Sequence, residues 1–255
     1  MKITKKLSLF FTALFLCAGI LFGTGMETQA AGVPKKARVY AGYPNNYGIE
    51  FDLANPRYTI KNLKSNSKYL IVKLTRQDAN KSSYSGESNE FNIGTYAKKE
   101  GTYKISFDVY NGSKKVSSKT ITVYAKNDSP VKTCKFSCKT AANGLTTAKT
   151  STVKVTMNKG YKLKKIEVGT TKNTKTESGS IHSEVVYKTI KNGGKFTLGT
   201  QPYIYKSQSG NVDSDYYYNS YSENITAETV IRITYVDKYT KAEDTRTYSL
   251  SKLVK

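Results

Sequence analysis

The most concentrated group of residues that could do chemistry lies between Asp213 and Asn224, in the stretch DSDYYYNSYSEN. It combines three carboxylates, Asp213, Asp215 and Glu223, with four tyrosines. Two carboxyl groups about 5 Å or about 6.5–9.5 Å apart can hydrolyse a glycosidic bond, and six to eight oxygen ligands can hold calcium. The spacing is not that of an EF-hand loop, and no glycine occupies its turn position. We therefore predict neither catalytic nor metal-binding residues, and keep a small secreted glycoside hydrolase as the least favoured alternative.

The tyrosines of this stretch, with two just upstream, predict a recognition surface instead. Tyrosine offers a large contact area, only two side-chain torsions and a hydroxyl group, so loops rich in Tyr, Ser and Asn make effective binding surfaces. Tyrosine rings can also stack on sugar rings. The alternative is an extra surface hairpin without a ligand, because the sequence YYYNSY is also strand-prone. The predicted ligand-binding residues are Tyr203, Tyr205, Tyr216, Tyr217, Tyr218 and Tyr221.

The remaining residues that could react do not match an enzyme template. His182 is the only histidine, and it lies in a predicted strand without a Gly-x-Ser-x-Gly motif elsewhere. Phosphate-loop, HExxH and dinucleotide-binding motifs do not occur in the sequence. We therefore predict a protein that is not an enzyme and that needs no cofactor.

Cys134 and Cys138 are the only cysteines after the N-terminal apolar segment. On a regular strand, residues four apart lie on one face at about 13 Å, whereas a disulfide needs Cα atoms within about 7 Å. On a strand they would be buried thiols flanking Phe136, which we favour; at a turn or bulge they could pair. Two cysteines at this spacing and one histidine do not make a zinc site.

Residues 1–31 have the pattern of a secretory signal peptide. Lys2, Lys5 and Lys6 precede the apolar run LSLFFTALFLCAGILFG, and small residues before Gly32 provide a cleavage site. A retained anchor is the alternative, because the run is about long enough to span a membrane. We expect no transmembrane segment in the mature chain and a protein that is secreted, or held non-covalently at the cell surface.

The chain is strongly basic, with 41 Lys and Arg against 19 Asp and Glu. Without residues 1–31, which hold three of the basic and one of the acidic residues, 38 and 18 remain. The lysines are scattered, which is typical of solvated strand faces but also suits adhesion to a polyanion. The expected partners are a cell-wall polymer, an acidic glycan or a host protein. Nucleic acid is not expected, because no nucleic-acid-binding motif is present.

Alternation of apolar and polar residues dominates the sequence, and no segment has helical periodicity. In GTYKISFDV, Tyr103, Ile105, Phe107 and Val109 share one side, and Asn111-Gly112 predicts a type I′ hairpin turn. Six or seven short strands in about 90 residues predict a sandwich. The fold class is therefore all-β, with two tandem immunoglobulin-like β-sandwich domains at residues 32–127 and 128–255.

The stretch KKEGTYKISFDVYNGSKKVSSKTITVYA resembles the last two strands of a bacterial immunoglobulin-like or PKD-like domain, over residues 33–126. Tyr103 matches the tyrosine-corner position, which implies a hydroxyl bond back to the preceding corner. Lys99 and Ile105 replace the Asp and Cys of the antibody pattern, and the chain contains no Trp. The resemblance is thus to disulfide-free relatives.

The second half resembles the short surface repeats of secreted Gram-positive proteins. The segments GYKLKKIEV, GKFTL and NITAETVIRITY follow the repeat order, and a hairpin is predicted to turn at Asn158-Lys159-Gly160. Residues 199–223, which contain the tyrosine-rich stretch, are an insertion into that pattern. These features predict a non-catalytic extracellular binding or adhesion protein. The alternative is a passive structural spacer or assembly subunit.

Overall fold

A computed structural model describes residues 32–82, 86–141, 143–177, 180–210 and 217–254. Every regular element in these ranges is a β-strand, so the predicted all-β class is confirmed. The predicted signal peptide, residues 1–31, lies outside the described part. The described chain divides into two compact units: an N-terminal unit of residues 32–129 with the turn Asp237–Ala242, and a C-terminal unit of the remainder. The division falls two residues after the predicted boundary.

The N-terminal unit is a sandwich of two sheets. Its strands are β1 (Lys36–Val39), β2 (Asn45–Leu53), β3 (Tyr58–Ser65), β4 (Leu70–Ser82), β5 (Gly86–Ala97), β6 (Gly101–Asn111) and β7 (Lys114–Ala125). One sheet has the order β1-β7-β6-β3 and the other β2-β5-β4. β1 runs parallel to β7, and all other pairs are antiparallel.

The core of this unit follows from the alternation in the sequence. Apolar side chains of both sheets point inward, and those of β6 predicted to share one side are all buried. At the centre, the ring of Phe51 stacks on Phe91 and on Phe107, with centroids 5.4 Å and 5.5 Å apart. Phe91 is completely buried. These three aromatic side chains join the two sheets, because Phe107 belongs to β6 and the other two to the opposite sheet.

The tyrosine corner predicted at the start of β6 is present. The Tyr103 hydroxyl donates a hydrogen bond of 2.9 Å to the carbonyl oxygen of Lys99, and its ring is buried. The ring folds back over Gly101, where a Cβ atom would lie only 2.7 Å from it. The glycine is therefore required for the corner to close.

Replacing Tyr103 with Phe should lower the free energy of unfolding by about 1 kcal/mol, because it removes the part-buried hydrogen bond that holds the corner closed. Urea unfolding followed by circular dichroism checks this. Tyr110→Phe is the control, since Tyr110 is half-buried near the other end of the same strand. Equal stability of the two variants would contradict the assigned role of the corner.

The turn between β6 and β7 differs from the predicted type I′ turn. Its two central residues are Gly112 and Ser113, since Asn111 still pairs with Lys114. Only Gly112 has positive φ, at 58°, which is the pattern of a type II′ turn. The prediction was wrong by one register position, because Asn111 is the last paired residue of β6 and not the first central residue of the turn.

Among the described basic residues of the N-terminal unit that form ion pairs, Arg38 on β1 has the least exposed side chain. Its guanidinium lies 3.2 Å from the Asp128 carboxylate and 3.1 Å from that of Asp237, in the turn that belongs to this unit. Its charge is therefore compensated inside the unit and does not contribute to the outer charge discussed below.

The C-terminal unit also has two sheets. Its strands are β8 (Val131–Phe136), β9 (Thr150–Met157), β10 (Lys162–Lys175), β11 (Ile181–Ile190), β12 (Lys195–Thr197), β13 (Ile204–Gly210), β14 (Tyr217–Glu223), β15 (Thr226–Val236) and β16 (Glu243–Leu253). A six-stranded sheet has the order β14-β13-β11-β10-β15-β16, and a three-stranded sheet the order β12-β9-β8. Their apolar sides share one core, to which the described side chains of β13 and β14 do not contribute.

The turn at Asn158-Lys159-Gly160 exists, but it does not close a hairpin. β9 and β10 belong to different sheets, so the chain crosses there from one layer of the sandwich to the other. The reason is that Val153 and Val155 of β9 face Ile166 and Val168 of β10 across the core. The hairpin prediction was wrong because alternation indicates a buried side but not which strand lies next to it.

Cys134 and Cys138 both remain thiols. β8 ends at Phe136, and the two half-buried cysteines pack against the core of the C-terminal unit together with that phenylalanine. The arrangement agrees with the favoured sequence interpretation, in which the fold does not depend on a disulfide framework.

Candidate functional site

The tyrosine-rich insertion forms the hairpin β13–β14 at the end of the six-stranded sheet. The two strands pair without a register shift from Ile204–Glu223 to Gly210–Tyr217. β14 is an edge strand, and β13 has only one register pair with β11, between Lys206 and Ile181. The hairpin therefore extends the sheet beyond the sandwich and leaves both of its sides without a covering layer of core residues.

Polar contacts hold the base of this hairpin to the sandwich. The Ser183 hydroxyl of β11 accepts a 2.9 Å hydrogen bond from the Ile204 N–H and lies 2.6 Å from the Ile204 carbonyl oxygen. Asn173 of β10 donates from its amide to the Pro202 carbonyl oxygen at 3.0 Å. Ser183 and Asn173 are also in contact, at 2.6 Å. These bonds fix where the hairpin leaves the sheet, without apolar packing along its length.

Pairing in the hairpin divides the tyrosines between two sides. Tyr205 pairs with Ser222, and Tyr218 lies four residues before Ser222, so both tyrosines share one side with Ser207 and Ser220. Tyr221 pairs with Lys206 on the other side. The described tyrosines therefore do not form one continuous platform. We name the side with Tyr205 and Tyr218 the tyrosine side.

The exposure of these rings is high for tyrosine. Tyr205 and Tyr218 are each 44% exposed, Tyr203 just before β13 is 47% exposed, and Tyr221 is 60% exposed. Tyr216 and the side chain of Tyr217 lie outside the described part. Burying such rings against a ligand would gain hydrophobic free energy at little cost in side-chain entropy.

The two sides of the hairpin differ in their charged groups. On the side opposite the tyrosine side, the Tyr221 hydroxyl donates a hydrogen bond to the Glu223 carboxylate. This bond raises the pKa of Tyr221, with smaller contributions from desolvation and the negative charge of Glu223. The tyrosine side presents tyrosine and serine hydroxyls between Tyr205 and Tyr218, and it has no charged residue in the paired positions. The opposite side also holds Lys206 beside Tyr221, so the two sides differ in the presence of charged groups and not in net charge.

The outer face of the three-stranded sheet is the second candidate surface of the C-terminal unit. Lys135 of β8 and Lys154 of β9 are direct cross-strand neighbours, and Lys195 of β12 pairs with Thr152 on the same side. All three lysines are exposed. We name these residues the C-terminal basic face. Like charges directly opposite each other destabilise a sheet, so this face favours an anionic partner.

The six-stranded sheet has an ion-pair network on its outer face. Glu167 of β10 is 3.0 Å from the Lys165 amine and accepts a 2.9 Å hydrogen bond from Arg232 of β15. Arg232 also lies over the Tyr187 ring at 3.9 Å. Burial raises the pKa of Glu167, but the bonds and charges of Arg232 and Lys165 outweigh it and hold that pKa below its usual value. The network compensates the negative charge of Glu167 and stabilises the fold.

The other residues considered for chemistry do not converge on a reactive site in the described part. Asp213 and Asp215 lie outside it, and Glu223 is bound to Tyr221. His182 is exposed on β11, opposite Thr174. Within the described ranges, no three His, Cys, Asp or Glu residues are grouped so that they could hold a metal ion. The same ranges contain no helix suited to crossing a membrane.

These observations define an all-β protein with exposed tyrosines and basic sheet faces. No protein-family model and no curated protein sequence matches the chain. Among solved structures, the chain is similar to domains 5–6 of the S-layer protein SbsC, with 10% identity and a TM-score of 0.28 over 89% of this chain and 97% of that one. It is also similar to a structure of domains 4–9 of the surface layer protein SbsC, with 12% identity and a TM-score of 0.24 over 88% of this chain and 30% of that one.

Proposed function

We propose that this protein is secreted and binds, without catalysis, an anionic wall polymer or acidic glycan that holds it at the cell surface. The observation that carries the proposal is the hairpin β13–β14, which displays exposed tyrosines outside the core of the sandwich. A hairpin with no buried apolar side is only marginally stable by itself. Its tyrosine side is therefore better explained as a contact surface than as part of the packing.

Electrostatic attraction supplies the other part of the proposed mechanism. Without residues 1–31 the chain has 38 basic and 18 acidic residues, and this excess of positive charge draws a polyanion toward the protein from a distance. The C-terminal basic face then offers Lys135, Lys154 and Lys195 to its negative groups, while Tyr205 and Tyr218 stack on its sugar rings. The lysines hold the negative groups of the polymer, and the tyrosines add stacking contacts that orient it.

The immunoglobulin-like assignment of the N-terminal unit is part of this proposal. The tyrosine corner at Tyr103 and the arrangement of seven strands as four plus three support it. In this interpretation the N-terminal unit is a stable carrier, and the C-terminal unit carries the polymer-binding surfaces.

A role as an assembly subunit is the second candidate function. It is favoured by one specific observation, the opposite charges on the two outer faces of the N-terminal unit, which are described below. A glycoside hydrolase remains the least favoured alternative, because Glu223, its one described candidate carboxylate, is bound to Tyr221.

Changing Tyr205 and Tyr218 to Ser together should weaken binding to an acidic glycan about tenfold or more, because both stacking contacts with sugar rings are lost. A nucleic-acid base stacked on an aromatic side chain contributes about 1–3 kcal/mol, and we expect a similar contribution from a stacked sugar ring. Affinity is measured by isothermal titration at constant salt. Tyr221→Ser is the matched control on the opposite side of the same hairpin and should change affinity little. Equal effects of the control and the double variant would contradict a specific role of the tyrosine side.

A further inference from the structure

The N-terminal unit has opposite charges on the outer faces of its two sheets. On the β2-β5-β4 sheet, Asp52, Glu90 and Asp78 are cross-strand neighbours and form one row of three carboxylates. Glu50 lies in the next row on the same side. We name these four residues the acidic face. They are four of the 19 acidic residues in the chain, gathered on one side of three strands.

This arrangement is unfavourable for the isolated unit. Carboxylates directly opposite each other in a sheet repel. Arg76 pairs with Asp78 and Glu90, with N–O distances of 2.5 Å, but Glu50 and Asp52 form no ion pair within the described residues. Burial raises the pKa of Glu90, and so do the charges of its three acidic neighbours, against the opposing effect of Arg76. Lys73, further along β4, is the other basic residue on this side.

A second feature of the acidic face also departs from the most stable arrangement. Asn92 lies in register between Glu50 and Arg76 and is 1% exposed. Both polar atoms of its side chain lack a hydrogen-bond partner within the described residues. A buried polar group in this condition costs about 1–3 kcal/mol. Destabilising arrangements such as these carboxylates and the Asn92 side chain are expected on a surface that serves a function.

The outer face of the β1-β7-β6-β3 sheet is basic. Lys36 and Lys104 flank Thr122 in one row, and Lys64 and Lys61 occupy the next two rows on β3. We name these four lysines the N-terminal basic face. All four are exposed, and none forms an ion pair within the described part of the chain.

The one carboxylate on the N-terminal basic face is already occupied. Asp108 lies 2.7 Å from the Lys115 amine and accepts hydrogen bonds from Ser118 at 2.6 Å and from Asn62 at 2.9 Å. These bonds, with Lys115 contributing most, hold the pKa of Asp108 far below its usual value. The Asp108 side chain borders an open groove of about 580 Å³ between β3, β6 and β7. The four lysines around it thus keep their charge for an external partner.

We propose that copies of this protein dock on one another, with the acidic face of one on the N-terminal basic face of the next. The two faces have opposite charge, because one has four carboxylates, two of them paired with Arg76, and the other has four lysines. Each face is the outer side of a sheet. The occupant of the acidic face is a second copy, because the anionic polymer of the proposed function would be repelled there. Since the two surfaces differ, the contact is heterologous and builds an open chain of copies rather than a closed dimer.

The association of copies should depend on the salt concentration, because salt screens the charges of the two faces. At about 0.1 M salt, charges interact over about 10 Å, so facing groups attract while more distant lysines are largely screened from one another. At about 1 M salt the range falls to about 3 Å, and the contact should be lost. In sedimentation velocity without any polymer, the protein should form species that grow with concentration at the lower salt and a monomer at the higher salt.

Two complementary variants give the decisive test. One replaces the carboxylates as Glu50→Gln, Asp52→Asn and Asp78→Asn; the other replaces Lys61, Lys64 and Lys104 with Gln. Each variant retains one intact face, so each should sediment as a monomer by itself. An equimolar mixture should form a dimer of twice the monomer mass and nothing larger, because the contact can form only once.

Several results would overturn the docking proposal. These are a wild-type protein that stays monomeric at about 0.1 M salt, either variant associating as wild type does, or a mixture that stays monomeric while both variants retain wild-type circular dichroism. The Tyr205→Ser, Tyr218→Ser variant should associate like the wild type. Failure of polymer binding and failure of docking are therefore measured separately.

Discussion

Replacing Lys135, Lys154 and Lys195 with Gln is expected to weaken binding to purified cell walls or acidic glycans about tenfold, since each exposed charge pair contributes about 0.2–1 kcal/mol. The three lysines are neighbours on the outer face of β8, β9 and β12, so one polyanion can contact all of them. Measuring affinity at several salt concentrations checks the cause. The variant should also show a shallower fall of affinity with salt, because fewer counterions are displaced.

The control for this variant removes the same number of charges elsewhere. Lys68, Lys159 and Lys188 are exposed but lie in different segments and do not share a sheet face. Their replacement with Gln should leave affinity within about twofold of wild type if local arrangement matters, since exposed charges more than about 10 Å away are largely screened. An equal loss in both variants would show that only net charge attracts the polymer, and the C-terminal basic face would lose its assigned role.

Phe91→Ala is expected to lower the free energy of unfolding by about 3–5 kcal/mol, the largest effect of any single change considered. Phe91 is completely buried, and Phe51 stacks on it and on Phe107, so truncation would leave a cavity between the two sheets. Because the chain has no Trp, unfolding in urea is best followed by far-ultraviolet circular dichroism.

The matched control for Phe91 is Ile71→Ala on the neighbouring strand β4. Ile71 is 50% exposed on the outer face, so its truncation should change stability by less than about 0.5 kcal/mol. A Phe91→Ala protein as stable as this control would contradict the arrangement of the core between the sheets of the N-terminal unit.

The parts of the fold that depend on neighbouring residues could be predicted from the sequence. Alternation in β6 correctly identified Ile105, Phe107 and Val109 as core residues, because side chains of a strand point to opposite sides in turn. The resemblance to immunoglobulin-like domains implied a bond from the Tyr103 hydroxyl to the preceding corner, and that bond is present. Both features need only a few consecutive residues to form.

The parts that depend on pairing between distant strands could not be predicted. Asp52, Glu90 and Asp78 become neighbours only because β2, β5 and β4 pair in one register. The same holds for Lys135 and Lys154. Charges that are scattered along the sequence can therefore form sheet faces of one sign, and the sequence by itself indicates only the overall excess of lysine.

The arrangement of the tyrosines in the candidate site also depends on strand pairing that the sequence does not show. The sequence predicted one binding surface from the tyrosines of the insertion, and the hairpin does place Tyr205 and Tyr218 on the same side, four positions apart along the strands. The alternation of the same strands places Tyr221 on the opposite side, which the sequence prediction of one aromatic platform did not consider. The ligand-binding role of these residues stays a prediction, now restricted to the tyrosine side.

The most direct test of the central claim is the binding of the wild-type protein to an acidic glycan and to its uncharged counterpart over a range of salt concentrations. We predict that the logarithm of the affinity for the acidic glycan falls linearly with the logarithm of the salt concentration, as expected when a polyanion releases counterions. Binding to the uncharged counterpart should be much weaker and nearly independent of salt. No binding to the acidic glycan at about 0.1 M salt, or binding that salt does not change, would contradict the proposed function.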